Sequence, residues 1–250
     1  NEKGIFDLDR TVKVLSERLK KLEYAVIPGF YGSMPNGSVK TFSRGGSDIT
    51  GSIVARAVNA RIYENWTDVS GFLVADPRII DNPAPITTIT YRELRELSYM
   101  GATVLHEDAI FPVRTAGIPI NIKNTNAPED RGTMIVANAD EVIPPYTITG
   151  IAGKKGFSVI TIEKDMMNAE IGFGRRVLEV LEELNISFEH LPSGIDTMSV
   201  VVAESAIKGK ERDILSRISA LVSPDNIDIE KGIALIAVVG RGMIRTQGTA

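Results

Sequence analysis

Arg44-Gly45-Gly46-Ser47-Asp48 sets a guanidinium, two glycines, a hydroxyl and a carboxylate side by side, and Trp66-Thr67-Asp68-Val69-Ser70-Gly71 and Ala75-Asp76-Pro77-Arg78 follow further along. A planar guanidinium such as that of Arg44 holds a carboxylate through two parallel hydrogen bonds. Gly45 and Gly46 let backbone amides approach a ligand with no Cβ in the way. The small apolar run Ile49 to Ala57 reads as a helix starting at this turn, and a helix N-terminus favours anions. Thr67 and Asp68 follow an expected strand end, where open parallel sheets place their ligands, and the guanidinium of Arg78 can reach phosphates. Such a set holds an anionic substrate opposite a nucleotide. Gly-Gly-Ser-Asp alone reads as a turn and helix cap, and Asp76-Pro77 alone as a turn with a solvated arginine. Arg44 and the Trp-Thr-Asp stretch tip the balance toward binding.

The two stretches resemble the signatures of the aspartate kinases, an Arg-Gly-Gly-Ser-Asp turn and a Thr-Asp-Val-x-Gly-(x)3-Ala-Asp-Pro-Arg segment. The resemblance implies transfer of the γ-phosphoryl group of ATP to the side-chain carboxylate of L-aspartate, the first step toward lysine, threonine and methionine, with Mg2+ bridging the phosphates. Positioning and charge stabilisation carry such a reaction. It also implies that Arg44, Gly45, Gly46, Ser47 and Asp48 bind aspartate, with Arg44 and Asp48 catalytic, and that Thr67, Asp68, Arg78, Thr103 and Val104 meet the nucleotide. Asp48 organises positive charge, since a carboxylate nucleophile has no proton for a base to remove. Leu73 stands where the family commonly has tyrosine, and Thr103 where many members have lysine, so Thr103 contributes its backbone. His106 beside Leu105 reads as a hydrogen-bonded structural group. No residue is assigned as a resident metal ligand.

These residues need an α/β frame. Asp9 is the expected cap of a helix carrying Val12, Leu15, Leu19 and Leu22. A buried strand is expected at Ala25 to Pro28 and a hairpin or lid at Phe30 to Gly37. A strand at Ala60 to Trp66, helices over Thr90 to Met100 and Pro112 to Ala116, and a strand at Ile118 to Ile122 complete a mostly parallel sheet sandwiched by helices, as the resemblance to amino-acid kinases implies. Asn124 to Gly132 ends the pattern. The boundary follows: residues 1–138 form the C-terminal part of a catalytic domain and 139–250 a regulatory region.

From Tyr146 the expected order is strand 157–161, helix 173–184, strands 186–191 and 198–202, helix 210–222, and strands 227–229 and 233–239. That is βαββαβ, an α+β sandwich resembling an ACT unit, with Val238-Val239-Gly240-Arg241-Gly242-Met243 resembling the start of a second copy. Against the family, the opening lysine-glycine strand and the end of the second ACT unit are missing from this sequence. The resemblance places an amino-acid effector at Met167, Gly172, Phe173, Gly174, Ser193 and Asp196. Asp196 or Glu170 would pair with an ε-ammonium, which favours lysine over threonine. It further implies a homodimer or dimer of dimers through ACT domains. A non-catalytic amino-acid sensor, another amino-acid kinase of the same fold and a fusion to a homoserine dehydrogenase are the alternatives.

Hydrophobic residues at 43% and charged residues at 24% describe a folding chain and argue against disorder. A net charge of −4 without a basic run argues against nucleic acid as a partner. The absence of cysteine excludes disulfides and thiolate chemistry and fits a cytoplasmic setting. The longest apolar runs are far shorter than a membrane span, so no membrane partner is expected.

Overall fold

The structure, a computed structural model, describes residues 5–42, 45–101, 105, 107–138, 147–244 and 246–248. Two compact units emerge. One takes the chain up to Ala152 together with the residues from Ala237 onward, and the other is Gly153–Ile236.

In the first unit, α1 (Leu8–Leu19) is capped by Asp7, whose carboxylate accepts the N–H of Arg10 at 3.1 Å. The expected cap Asp9 lies inside the first turn instead, where its charge still suits the helix dipole. Ala25 to Pro28 forms no strand. No neighbouring strand offers it a ladder among the described residues, and Val26 is fully exposed. β1 (Tyr31–Ser33) and β2 (Val39–Thr41) form the expected hairpin, with Tyr31 opposite Thr41. The turn between them is held by the Asn36 carboxamide, which accepts the Ser38 N–H at 3.0 Å.

α2 (Gly46–Ala57) buries Ile49, Ser52, Ile53, Ala55 and Ala57, a face small enough for close packing against α4 (Glu107–Ala116). β3 (Tyr63–Thr67) is followed by the short ribbon of β4 (Phe72–Leu73) and β5 (Pro85–Ile86), then by β6 (Thr88–Thr90), α3 (Tyr91–Tyr99), β7 (Ile120–Asn124) and β8 (Thr133–Val136). The main sheet has the order β3-β7-β8-β6. β3 runs parallel to β7 and β6 parallel to β8, whereas β7 and β8 are antiparallel. Ile89, Leu94, Ile120, Ile122 and Ile135 are fully buried at its core. β8 lies beyond the polar stretch that ends the sequence pattern. Its alternate residues Thr133 and Ile135 are buried, too short a signal to stand out in sequence.

A buried carboxylate organises the start of α3. Thr90 and Glu93 form a capping box: the Glu93 N–H donates to Thr90 Oγ1 at 3.2 Å, and the Thr90 N–H donates to Glu93 Oε2 at 2.9 Å. Glu93 Oε1 also accepts from Thr149 Oγ1 at 2.6 Å and from Arg241 Nε at 3.2 Å. One side chain therefore binds three separate stretches of this unit. Burial alone would raise the Glu93 pKa, but the donors Thr149 and Thr90 and the charge of Arg241 outweigh it and hold the carboxyl below its usual value.

In the second unit, β9 (Gly150–Glu163) from Gly153 onward, α5 (Phe173–Glu183), β10 (Phe188–His190), β11 (Thr197–Ala203), α6 (Glu204–Ile207), α7 (Glu211–Val222) and β12 (Asn226–Val239) up to Ile236 build the expected α+β sandwich, since α6 is a single turn leading into α7. The sheet order is β10-β11-β9-β12, and α5 packs against α7. Ile160, Ile162, Val177, Val180, Val200, Val202, Ile214 and Ile218 form the core between sheet and helices. This is the ACT-type βαββαβ arrangement. Ile186, expected in a strand, is buried in the turn leaving α5, where its N–H donates to Leu181 O at 2.8 Å. The two expected last strands are one continuous strand, β12, running through Gly232.

Glu93→Gln is expected to destabilise the first unit by about 2–4 kcal/mol, the range for removing one partner from a buried charged network. Because the folded pKa is depressed, the carboxylate's contribution is present above the ordinary carboxylate range and is lost as pH falls through the folded value. Urea unfolding of both proteins at neutral pH and near pH 3 should show the gap shrinking in acid.

Candidate active site

The first turn of α2 carries the acidic end of the Arg-Gly-Gly-Ser-Asp stretch. Gly45 adopts a left-handed conformation at the cap, φ 55°, and no side chain caps the helix. Gly46 is required by a close approach. A Cβ there would lie 2.8 Å from the Phe30 ring and 2.9 Å from Phe30 Cα. Phe30 is fixed in turn by its N–H, which donates to Thr50 Oγ1 at 3.2 Å, while that hydroxyl donates to Gly46 O at 2.8 Å. The hairpin base is thus stapled to the helix start. Ser47 is exposed and Asp48 half-buried. Arg44 lies outside the described residues.

Asp48 is held from the sheet. Asn65 on β3 donates through Nδ2 to Asp48 Oδ1 at 2.9 Å and to Tyr63 Oη at 2.9 Å, and Tyr63 Oη donates to the Asp48 carbonyl at 3.2 Å. The Tyr63 phenol is pushed up to about 12, chiefly by burial and further by the charge of Asp48, against the lowering effect of the Asn65 hydrogen bond. The sequence reading missed both residues. Their signal was alternation: Tyr63, Asn65 and Thr67 share one face of a strand, and only the first and last are ordinary strand formers.

Thr67 ends β3. Its carbonyl accepts the Thr125 N–H at 2.8 Å and Thr125 Oγ1 at 2.5 Å, while its hydroxyl donates to Asp68 Oδ1 at 3.2 Å. Since β3 and β7 are parallel, with Thr67 opposite Asn124, Thr67 and Asp68 sit at the carboxyl ends of two adjacent parallel strands. Arg78 is turned back on Asp76 instead: Nη2 lies 2.6 Å and Nε 3.0 Å from its carboxylate, with 85% of the arginine side chain exposed. Those hydrogen bonds lower the Asp76 pKa to about 2. Thr103, Val104 and His106 lie outside the described residues. Among the described residues no three His, Asp or Glu side chains cluster as a metal cage.

In the second unit, the expected effector loops are joined. Asp196 Oδ1 accepts the Met166 N–H at 3.0 Å, and Ile195 O accepts the Asn168 N–H at 3.1 Å. The side chains of Met167 and Phe173 fill the core, while Gly172 and Gly174 form the uncapped start of α5. Ser193 bridges to Met198. Glu170 pairs with Lys164 at 2.6 Å and with Arg176. Lys164, then Arg176, hold its carboxyl below the usual range against the effect of burial.

Residues 5–124 match the amino acid kinase family. Aspartokinase 3 of Bacillus subtilis is 45% identical over 93% of the chain and 51% of that relative. The crystal structure of Clostridium acetobutylicum aspartate kinase matches with a TM-score of 0.89 at 56% identity, over 98% of this chain and 56% of that one. Over nearly its whole length the chain is similar to the aspartokinases. It spans about half the length of these aspartokinases. Aspartokinase III of E. coli, in its complex with lysine and aspartate, matches with a TM-score of 0.70 at 26% identity, over 94% of this chain and 52% of that one. No described helix is long and apolar enough to cross a membrane.

Gly46→Ala is expected to destabilise the first unit by about 1–3 kcal/mol, because the added methyl meets Phe30 backbone that cannot rotate away. Thermal unfolding monitored by circular dichroism would register the loss. A Gly32→Ala control, where a Cβ meets nothing within 4 Å, should stay close to the parent.

Proposed function

We propose that this chain serves an aspartate kinase, transferring the γ-phosphoryl group of ATP to the side-chain carboxylate of L-aspartate. The observation that supports the reading is the hydrogen bond from Asn65 to Asp48, which ties the turn carrying Asp48 to β3, the strand that ends at Thr67. β3 runs into the second signature stretch, Trp66 to Arg78, so the two stretches are linked through Asn65. The 45% identity to Bacillus subtilis aspartokinase 3 supports the same conclusion.

In this reading Arg44 and the first amides of α2 orient aspartate by its carboxylate. An oxygen of the substrate's side-chain carboxylate forms a bond to the γ-phosphorus while the bond to the β,γ-bridging oxygen breaks, leaving ADP. No proton changes hands, so the chain needs no base. Gly45, Gly46 and Ser47 line the substrate turn, and Asp48 orders the cationic groups around the phosphoryl group. Thr67, Asp68 and the backbone of Thr103 and Val104 receive the nucleotide, and Arg78 joins them on leaving Asp76. Magnesium, when bound, neutralises phosphate charge.

Residues 1–138 then supply part of the catalytic domain and 139–250 the regulatory region, working in the cytoplasm as a homodimer or dimer of dimers. The loops at Met167, Gly172 to Gly174, Ser193 and Asp196 receive an amino acid, lysine in preference to threonine. With Glu170 already paired to Lys164 and Arg176, Asp196 is the carboxylate left for an ε-ammonium.

In the full-length protein, Arg44→Ala should raise the KM for aspartate by far more than that for ATP, a loss of about 2–4 kcal/mol. Glutamate phosphorylated in preference to aspartate would overturn the assignment. Asp196→Ala should relieve inhibition by lysine while phosphoryl transfer persists, as inhibition curves with lysine and threonine would show. Threonine inhibiting where lysine does not would refute the charge pairing.

A further inference from the structure

Asn65 is 7% exposed in the interior of a strand, a place where asparagine is disfavoured and where an unsatisfied amide is costly. Its side chain can satisfy itself only through what it touches, and it touches Asp48 and Tyr63. The carboxamide has two N–H donors, and two acceptors stand at 2.9 Å, Asp48 Oδ1 and Tyr63 Oη. The phenol returns its proton to the Asp48 carbonyl at 3.2 Å, so Asp48 is gripped by both side chain and backbone. Gly51, three residues on in α2, makes room for this: a Cβ there would lie 2.7 Å from Tyr63 Oη.

We propose that Asn65 is a positioning residue for phosphoryl transfer, acting with Tyr63 to fix the Asp48 carboxylate relative to the nucleotide end of β3. The role rests on the kinase reading above. Asn65 stands two residues before Thr67 on the same strand, and Thr67 is anchored to Thr125 across the sheet. Displacement of Asp48 would therefore separate the substrate turn from the nucleotide segment. The Tyr63 phenol, like any tyrosine near neutral pH, is a protonated donor, and burial keeps it so.

The test is a double-mutant cycle in the full-length enzyme, with aspartate and ATP as substrates. Asn65→Leu keeps the volume and removes both donors. Its kcat should fall about ten- to hundredfold, the scale of a misplaced catalytic group, with both KM values within about threefold of the parent. In an Asp48→Ala background the same change should cost less than about threefold, because the group it positions is gone. Equal losses in both backgrounds, or an unchanged kcat in the single variant, would overturn the proposal. Tyr63→Phe and Gly51→Ala, which disturb the same grip differently, should each lower kcat by a smaller factor. Independently of turnover, the Asn65 side-chain amide resonance in 15N NMR should shift on Asp48→Ala; an unmoved resonance would refute the contact itself. A parent that transfers no phosphate to aspartate while this shift is observed would sink the kinase reading and leave the geometry standing.

Discussion

The parallel pairing of β3 with β7 is the constraint on which the candidate site depends. Parallel strands end on the same side, so Thr67 and Asn124 finish together and the loops that follow share one edge. The same pairing buries Ile120 and Ile122 and fixes which face of β3 looks toward α2. A shift of one residue would turn Tyr63 and Asn65 away from Asp48 and present Glu64 and Trp66 in their place. The register that builds the core thus also aims the site.

Glu93 plays a comparable part at the other end of this unit. Its carboxylate ties the start of α3 to Thr149 and Arg241, residues far away in sequence. α3 leads to Gly101 and then to the segment containing Thr103 and Val104. Folding the first unit is therefore coupled to the placement of chain segments on either side of the ACT-type unit in sequence.

The frame was legible because its signals are local. The helices over Thr90 to Met100 and 173–184 and the small apolar run of α2 can be read from patterns within a few residues. So could the Arg-Gly-Gly-Ser-Asp turn and the Thr-Asp-Val segment, because glycine and charge patterns survive as short strings. Asn65 and Tyr63 were not legible, since their meaning lies in a hydrogen bond across seventeen residues that only the folded sheet creates. Asp9 is the expected cap and Asp7 fills the role, since either residue type caps well and only the backbone geometry separates the two positions. Ala25 to Pro28 has strand-like composition, but composition does not supply a pairing partner.

The central claim is that a substrate carboxylate attacks the γ-phosphorus of ATP at this site. 31P NMR of the full-length protein with ATP, magnesium and L-aspartate tests it most directly, with hydroxylamine added afterwards to trap the product. The account predicts an acyl-phosphate resonance appearing with ADP, converted by hydroxylamine to the aspartyl hydroxamate. ATP consumed only to ADP and inorganic phosphate, with no aspartate-derived hydroxamate, would contradict it.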